Sequence, residues 1–79
     1  IIMNIKIYGA DWCPDCVTAK KFLNSKEVEI EYIDITDNNE AIALIEKINN
    51  GKRVIPTLMI DGVSYTNPGI NGLIKILEQ

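Results

Sequence analysis

The two cysteines of this 79-residue chain, Cys13 and Cys16, lie within the stretch WCPDC and are separated by two residues. Thiols at this spacing can bind a metal, form a structural disulfide or exchange electrons with a substrate disulfide. A structural bridge would close a very small loop, so it would restrict the unfolded chain little and add little stability. The spacing therefore indicates chemistry rather than structural cross-linking.

Metal binding is the alternative to redox chemistry for this pair. A zinc or iron–sulfur site needs about four ligands, and the sequence contains two cysteines and no histidine. One chain cannot complete such a site, whereas a dimer could hold zinc or an iron–sulfur cluster between two Cys13/Cys16 pairs. A dithiol redox cycle needs no bound cofactor or metal, and it is the function that the sequence favours.

The predicted position of the cysteines at the start of a helix supports redox chemistry. Pro14 suits the first turn of that helix, where its missing N–H costs nothing. Unpaired amides and the helix dipole favour negative charge at this end, and the thiolate is the reactive form of cysteine. Cys16 lies one turn later and begins the apolar stripe of the helix. We therefore expect Cys13 to be exposed and to attack a disulfide, and Cys16 to be sheltered and to resolve the intermediate.

Acidic residues near the thiols modify this expectation. Asp15 lies between the cysteines and Asp11 precedes them, and both negative charges oppose formation of a thiolate at Cys13. A less stabilised thiolate corresponds to a more reducing dithiol. The sequence therefore predicts a reductant rather than an oxidase.

The composition is that of one small soluble domain covering residues 1–79. It is 47% hydrophobic and 24% charged, and eight basic against eleven acidic residues give a net charge of −3. This balance argues against nucleic-acid binding, which requires many cations to neutralise phosphates. No apolar run is long enough to cross a membrane and no export signal opens the chain, so we expect a cytoplasmic protein, and a monomer.

The pattern of apolar residues predicts strands and helices in the order β-α-β-α-β-β-α. A capping box at Asp37–Glu40 starts the second helix, Asp61-Gly62 forms a hairpin turn, and Asn67 caps the last helix. Strands joined through helices are expected to be parallel, so the sheet is mixed. The expected strands cover 3–8, 28–35, 57–60 and 63–65; the expected helices cover 14–25, the segment between the capping box and Gly51, and the segment after Pro68, with Ile70, Leu73, Ile74 and Leu77 buried.

Several residues near the motif have two interpretations on the sequence alone. Trp12 could form an apolar platform beside the thiol or pack against the fold, and Lys20 could face the site or lie in solvent. Tyr8 and Tyr65 are expected at the edge of the core. Pro56 precedes a strand, and because few X–Pro bonds are cis, the trans form is favoured on base rates.

Several segments together resemble the glutaredoxins of the thioredoxin superfamily. Residues 5–35 contain the CPDC motif, which is similar to the CPxC pattern of that family, and Ala19-Lys20 is similar to its AK pair. The segment RVIPTLMIDG at 53–62 is similar to the family's TVP region, and a Pro-Gly turn precedes the last helix. The resemblance covers nearly the whole chain. It implies a thioredoxin-like α/β fold with a mixed four-stranded sheet flanked by three helices.

The resemblance also implies an activity and a set of site residues. The activity is reduction of protein or low-molecular-weight disulfides, with Cys13 as nucleophile, Cys16 as resolving cysteine and a cis Pro56 beside them. Glutathione, as a co-substrate, or thioredoxin reductase would supply the electrons. The residues expected to contact substrate or donor are Trp12, Pro14, Asp15, Lys20, Arg53, Val54, Ile55, Pro56, Pro68 and Gly69.

Two departures from the family pattern concern the electron donor. Glutaredoxins that use glutathione commonly carry a lysine shortly before the first cysteine, where this sequence has Ala10 and Asp11. Their Gly-Gly turn before the last helix is followed by polar or acidic residues, whereas Pro68-Gly69 is followed by Ile70 and Asn71. Trp12 and Asp15 are more similar to thioredoxin, or to the glutaredoxin-like redoxins that thioredoxin reductase reduces. The sequence leaves the donor open.

Overall fold

The fold was analysed in a computed structural model, which describes residues 4–26 and 28–78. Its elements follow the predicted order, and α1 and β3 have the predicted bounds. The strands are β1 (Ile5–Gly9), β2 (Ile30–Asp34), β3 (Thr57–Ile60) and β4 (Val63–Thr66), and the helices are α1 (Pro14–Ser25), α2 (Asn39–Ile48) and α3 (Gly69–Leu77). No helix in these two ranges combines the length and the apolarity that spanning a membrane requires.

The first two strands are shorter than the alternating patterns that predict them. β1 begins at Ile5, and residue 3 of the predicted strand lies outside the described residues. β2 begins at Ile30 and ends at Asp34, so the pattern at 28–35 extends beyond the paired segment on both sides. Pairing requires a neighbouring strand, and β2 pairs only over the five positions of β1.

The sheet is mixed, with strand order β2-β1-β3-β4. β1 is parallel to β2 and antiparallel to β3, and β3 and β4 form an antiparallel hairpin. The hairpin turn at Asp61-Gly62 is confirmed, and both residues have positive φ angles of 50° and 86°, as a tight two-residue turn requires.

The expectation that every helix joins parallel strands is wrong for α2. β3 runs antiparallel to β1 and hence to β2, although α2 connects β2 to β3. The end of α2 explains this, because the Asn49 side chain donates a hydrogen bond to Thr57 at the start of β3. Thr57 pairs with Tyr8 near the C-terminal end of β1, and β2 finishes at this same end of the sheet. The chain therefore enters β3 at the end of the sheet where it left β2, and β3 runs in the opposite direction to β2.

Two apolar clusters cover the two faces of the sheet. α1 and α3 pack on one face with Ile5, Ile7, Ala19, Leu23, Leu58, Ile60, Leu73 and Ile76. α2 packs on the other face with Tyr8, Ile35, Ala41 and Ile45. Ile7 and Tyr8 belong to different clusters because successive strand residues face opposite sides. Tyr65 lies half-buried against the first cluster, as predicted for the edge of the core, whereas Tyr8 is a buried member of the second cluster.

The starts of α2 and α3 differ from the predicted caps. Asn38, rather than Asp37, caps α2, and its Oδ1 accepts a hydrogen bond from the Ala41 N–H at 3.1 Å. α3 begins at Gly69 after Pro68 and has no side-chain cap. Asn67 adopts a positive φ of 43°, so it does not have the extended backbone of an N-cap residue.

The buried face of α3 also differs from the expectation. Leu73 and Ile76 are buried, whereas Ile70 and Ile74 are 43% and 39% exposed. Apolar residues occupy five of the nine positions of α3, so the apolar stripe is wider than the face that contacts the core. Periodicity alone therefore could not select which isoleucines are covered.

Candidate functional site

The two thiols lie at the N-terminus of α1, at the carboxyl end of β1. Cys13 is the N-cap residue, with the extended backbone (φ −100°, ψ 112°) typical of that position. Its Sγ accepts a hydrogen bond from the Cys16 N–H at 3.3 Å, and its own N–H donates to the Ala10 carbonyl at 3.1 Å. Both cysteines are free thiols. The Cys13 sulfur therefore faces the unpaired amides of the first turn, as the sequence predicted.

The exposure of the two thiols corrects one expectation. Cys16 is fully covered, as predicted, but Cys13 is only 8% exposed and does not project into solvent. The bent turn through Ala10 and the side-chain cap hold the Cys13 sulfur against the helix end. A small accessible surface remains on Cys13 and none on Cys16, so the order of accessibility is the predicted one.

Gly9 determines how closely Cys16 approaches the sheet. A Cβ atom on Gly9 would lie 2.7 Å from Cys16 Sγ and 2.9 Å from Cys16 Cβ, distances that real Cβ atoms do not tolerate. The same position lies 3.2 Å from the Tyr32 hydroxyl oxygen. The absence of a side chain at residue 9 therefore allows the Cys16 thiol and the Tyr32 hydroxyl to lie against the end of β1.

The environment of Cys16 strongly favours its protonated form. Burial is the largest cause that raises the pKa of this thiol to about 12, and the hydrogen bond with Cys13 and the charge of Asp15 act in the same direction. A hydrogen bond with the Ala10 backbone acts in the opposite direction and is outweighed. Cys16 therefore remains a protonated thiol at neutral pH.

A cleft lies between the start of α1, the residue before β3 and the start of α3, and it is lined by Asp15 of the motif but by neither cysteine. The Ile55–Pro56 peptide bond is cis, as the family resemblance implied and contrary to the base rate. Pro56 is buried, and its carbonyl accepts a hydrogen bond from the Asn67 N–H at 2.8 Å. The cleft has a volume of about 200 Å³ and is lined by Asp15, Thr18, Ala19, Pro56, Asn67, Pro68, Gly69, Ile70 and Leu73.

The lining brings together four of the residues that were expected to contact substrate or donor: Asp15, Pro56, Pro68 and Gly69. Ile70, which follows the Pro68-Gly69 turn, also lines the cleft, whereas Thr18 and Leu73 were not anticipated there. They were missed because nothing in the local pattern shows which helix faces meet. Among the residues that the structure describes, Asp15 is the only charged side chain in the lining.

The basic residues of the expected site lie elsewhere. Lys20 extends over the ring of Tyr32, with its Nζ 4.6 Å from the ring centroid. Arg53 forms an exposed ion pair with Glu46 at 3.6 Å. Neither cation lines the cleft, so the structure does not bring them to Pro68-Gly69.

Trp12, immediately before the motif, is 70% exposed and does not pack into the core. Its indole N–H donates to the Thr36 hydroxyl at 3.4 Å, which links the motif to the loop after β2. That loop is held by the Thr36 N–H, which donates to Asp34 Oδ1 at 2.8 Å and lowers the pKa of the Asp34 carboxyl. Trp12 therefore presents an exposed aromatic surface beside Cys13.

The segment before β3 is anchored by residues that the sequence did not indicate. The buried Thr57 donates its hydroxyl to the Val54 carbonyl at 2.7 Å and accepts from the Asn49 side chain at 3.2 Å. Asn49 also accepts a hydrogen bond from the Thr66 hydroxyl at 2.5 Å. Ile55 packs on the α2 face of the sheet. The contacts of Val54 and Ile55 thus fix the chain immediately before Pro56. Pro14, another residue of the expected site, lies exposed at the first position of α1.

Metal coordination finds no further support in the described residues. Within 4–26 and 28–78, no group of three or more Cys, His, Asp or Glu side chains is arranged to hold a metal ion. The dimeric metal or cluster site therefore remains a hypothesis that depends on a second chain.

Comparisons with known proteins identify the family. The profile of the glutaredoxin family matches residues 5–65, which include the two cysteines and the cis proline. The chain belongs to the glutaredoxin family. This glutaredoxin is 38% identical to mycoredoxin 1 of Corynebacterium glutamicum over 66 residues, which cover 82% of this chain and 81% of the relative.

Solved structures agree with this assignment. The glutaredoxin aligns with the crystal structure of a thioredoxin-like protein at a TM-score of 0.80 and 27% identity, over 92% of this chain and 99% of the other. It also aligns with glutaredoxin 1 of Francisella tularensis, crystallised with cacodylate, at a TM-score of 0.69 and 26% identity, over 98% and 99% of the two chains. The thioredoxin-like fold is confirmed, and membership of the family makes the protein a thiol–disulfide oxidoreductase.

Proposed function

We propose that this glutaredoxin is a dithiol reductant in which Cys13 attacks a substrate disulfide and Cys16 resolves the mixed disulfide. The observation that carries the proposal is the placement of the Cys13 sulfur at the N-cap of α1, 3.3 Å from the Cys16 amide. An N–H donor and the positive end of a helix stabilise a thiolate at that position. Cys16, which is buried and protonated, is held for the second step.

The two steps form a balanced cycle. The Cys13 thiolate bonds to one sulfur of the substrate disulfide, and the other sulfur leaves as a thiol after taking up a proton. Cys16 then loses its proton and attacks Cys13 Sγ, which releases the second substrate thiol and leaves a Cys13–Cys16 disulfide. Two electrons have passed to the substrate, and an external reductant must return them.

The cleft is the proposed contact region for the substrate. Pro56 and the Pro68-Gly69 turn line it, and Trp12, next to Cys13 in the chain, offers an exposed aromatic surface. An apolar or uncharged segment next to the substrate disulfide fits these surfaces. Disulfide-containing proteins are therefore the proposed substrates, with low-molecular-weight disulfides as a second group.

The charge of the cleft bears on the electron donor. Glutathione carries two carboxylates, and within the described part of the chain the only charged side chain that lines the cleft is Asp15. Lys20 and Arg53 are directed to Tyr32 and Glu46 instead. Because like charges repel and no cation compensates in the cleft, we propose a reductase protein such as thioredoxin reductase as the main donor and glutathione as a poor one.

Trapping and donor assays test these proposals separately. In the Cys16→Ser variant, the mixed disulfide should accumulate and mass spectrometry should locate the substrate on Cys13; attachment elsewhere would reject the assigned roles. The oxidised protein is then reduced in NADPH-coupled assays with thioredoxin reductase or with glutathione and its reductase. Faster turnover with glutathione than with thioredoxin reductase would contradict the proposed donor without affecting the cysteine roles. Metal content and visible absorbance of the purified protein test the dimeric cluster hypothesis.

A further inference from the structure

The hydroxyl group of Tyr32 on β2 is a buried polar group that the proposed cycle does not use. It is the only buried side-chain oxygen or nitrogen without a hydrogen-bond partner among the residues that the structure describes. Burying a hydroxyl without a partner costs desolvation free energy. A phenylalanine would avoid this cost at the same place, so the hydroxyl calls for an explanation in the chemistry of its surroundings.

Those surroundings contain the resolving thiol. The Tyr32 oxygen and Cys16 Sγ both lie against Gly9, at 3.2 Å and 2.7 Å from the point that a Gly9 Cβ would occupy. Cys16 is fully covered, so its sulfur has no access to water. When Cys16 loses its proton, the free donor next to it in this space is the Tyr32 hydroxyl.

We propose that Tyr32 donates a hydrogen bond to the Cys16 sulfur as that sulfur becomes a thiolate in the resolving step. This proposal rests on the proposed function, in which Cys16 resolves the mixed disulfide. A hydroxyl that donates to an anion makes a stronger bond than one that donates to a neutral thiol. The bond therefore stabilises the reacting state more than the resting state, which is the condition for accelerating a step.

The proton and electron balance does not require Tyr32 to ionise. The Cys16 proton passes to the departing substrate sulfur, the Cys16 sulfur bonds to Cys13 Sγ, and the bond between Cys13 and the substrate breaks. The substrate is reduced by two electrons and the cysteine pair is oxidised. Tyr32 keeps its proton throughout and acts only as a donor.

The protonation of Tyr32 is compatible with this role. Burial is the largest cause that raises the pKa of Tyr32 to about 12, and the neighbouring Cys16 raises it further. The phenol therefore remains a donor at every pH at which the protein would work. The titratable and charged groups around the pair are Asp11, Cys13, Asp15, Lys20 and Asp34.

Lys20 holds the ring in place from the helix side. Its ammonium lies 4.6 Å from the centroid of the Tyr32 ring, a cation–π distance. The backbone of Tyr32 is fixed by the pairing of β2 with β1, in which Tyr32 lies opposite Ile7. The ring thus has fixed support, and a Tyr32→Phe substitution removes the hydroxyl while keeping these contacts.

A single-turnover reaction with a limiting amount of a symmetrical nitrobenzoate disulfide tests the proposal. The attack by Cys13 releases one coloured thiolate, and resolution by Cys16 releases the second, so stopped-flow absorbance separates the steps. In Tyr32→Phe, the second phase should slow about tenfold at neutral pH. The first phase should not change.

Tyr65→Phe is the matched control, because Tyr65 packs against the same apolar cluster from β4 at the opposite edge of the sheet. Both phases should keep their wild-type rates in this variant. An unchanged second phase in Tyr32→Phe, or equal slowing of both phases, would overturn the role of Tyr32 and leave the cysteine roles intact. A wild-type protein that shows no second phase would instead overturn the proposed function, and the role of Tyr32 with it.

Discussion

The N-termini of α1 and α2 are both capped by a side chain that accepts a hydrogen bond from the N–H three residues later, but the accepting atoms differ. In α1, the Cys13 sulfur accepts a hydrogen bond from the Cys16 N–H at 3.3 Å. In α2, the Asn38 carboxamide oxygen accepts from the Ala41 N–H at 3.1 Å. In both helices the donor residue lies three positions after the cap and is buried.

The difference between the two caps shows what the motif adds to an ordinary helix start. An amide oxygen is a strong acceptor and a preferred N-cap, whereas sulfur is a weak acceptor. At α1 the chain forgoes part of the capping stabilisation and places at the helix end the sulfur that we propose as the nucleophile, where an anion is favoured. Likewise Cys16 occupies the structural position of Ala41 but carries a proton that it can lose.

The largest expected effect comes from replacing the sulfur cap with an oxygen cap. Cys13→Ser should reduce disulfide-reductase turnover to the uncatalysed rate, because no nucleophile remains at the helix end. Its free energy of unfolding should stay equal or rise by up to about 1 kcal/mol, because a serine hydroxyl is a better cap than a thiol. Turnover assays and urea unfolding under reducing conditions measure the two effects.

Substitution of the α2 cap provides the matched control. Asn38→Ala should lower the free energy of unfolding by about 1 kcal/mol and leave turnover at the wild-type level. Substantial turnover in Cys13→Ser, or a loss of turnover in a folded Asn38→Ala variant, would contradict the distinction between a reactive and a purely structural cap.

An intermediate effect is expected from the crowding behind the α1 cap. Gly9→Ala places a methyl group 2.7 Å from Cys16 Sγ and 2.9 Å from its Cβ, so it should lower the free energy of unfolding by about 2 kcal/mol. The cost should be smaller in a Cys16→Ala background, where the sulfur is absent. A double-mutant cycle of urea unfolding measures this coupling. Equal costs in both backgrounds would show that contact with the sulfur does not cause the destabilisation.

The smallest expected effect, counted per pH unit, is the fall in the free energy of unfolding at alkaline pH. The pKa of Cys16 is about 12 in the folded protein and 9.0 as its reference value, so the unfolded chain releases a proton that the folded chain retains. The Cys16 contribution to stability should therefore be constant between neutral pH and about pH 9 and fall by on the order of 1 kcal/mol per pH unit between pH 9 and 12.

The Cys16→Ala variant sharpens this test, because it gives α1 the alanine that α2 has at the same position. Urea unfolding of the reduced proteins between pH 8 and 11 should show a smaller loss of stability in the variant. Tyr32, whose pKa is also raised, from 10.0 to about 12, should account for a remaining loss above pH 10. An equal slope in the wild type and the variant would show that Cys16 is not the group that titrates.

Much of the fold was predictable because local patterns coincide with the elements. The bounds of α1 and β3 and the Asp61-Gly62 turn follow from periodicity, proline placement and turn chemistry. The exposed isoleucines of α3 and the antiparallel course of β3 did not follow. A wide apolar stripe fits more than one packing face, and the direction of a strand after α2 depends on where the helix lies on the sheet.

The residues of the candidate site likewise divide into those that the sequence indicated and those that it did not. The sequence indicated Cys13, Cys16 and the helix end between them, since the motif and its flanking elements are contiguous. Lys20 and Arg53 were expected near the donor, but they contact Tyr32 and Glu46 because those partners approach from other elements. Thr57, Asn49 and Tyr32 carried no local signal, as each acts through residues distant along the chain.

The sequence alone therefore determined the reactive pair, its place at a helix N-terminus and the order of the elements, because these depend on neighbours along the chain. Tertiary structure decided which groups surround that pair. It covered Cys13 to 8% exposure, placed Gly9 and Tyr32 against Cys16, and left Asp15 as the charge in the cleft. The physical reason is that burial and the pairing of charges depend on contacts between elements, which no local pattern specifies.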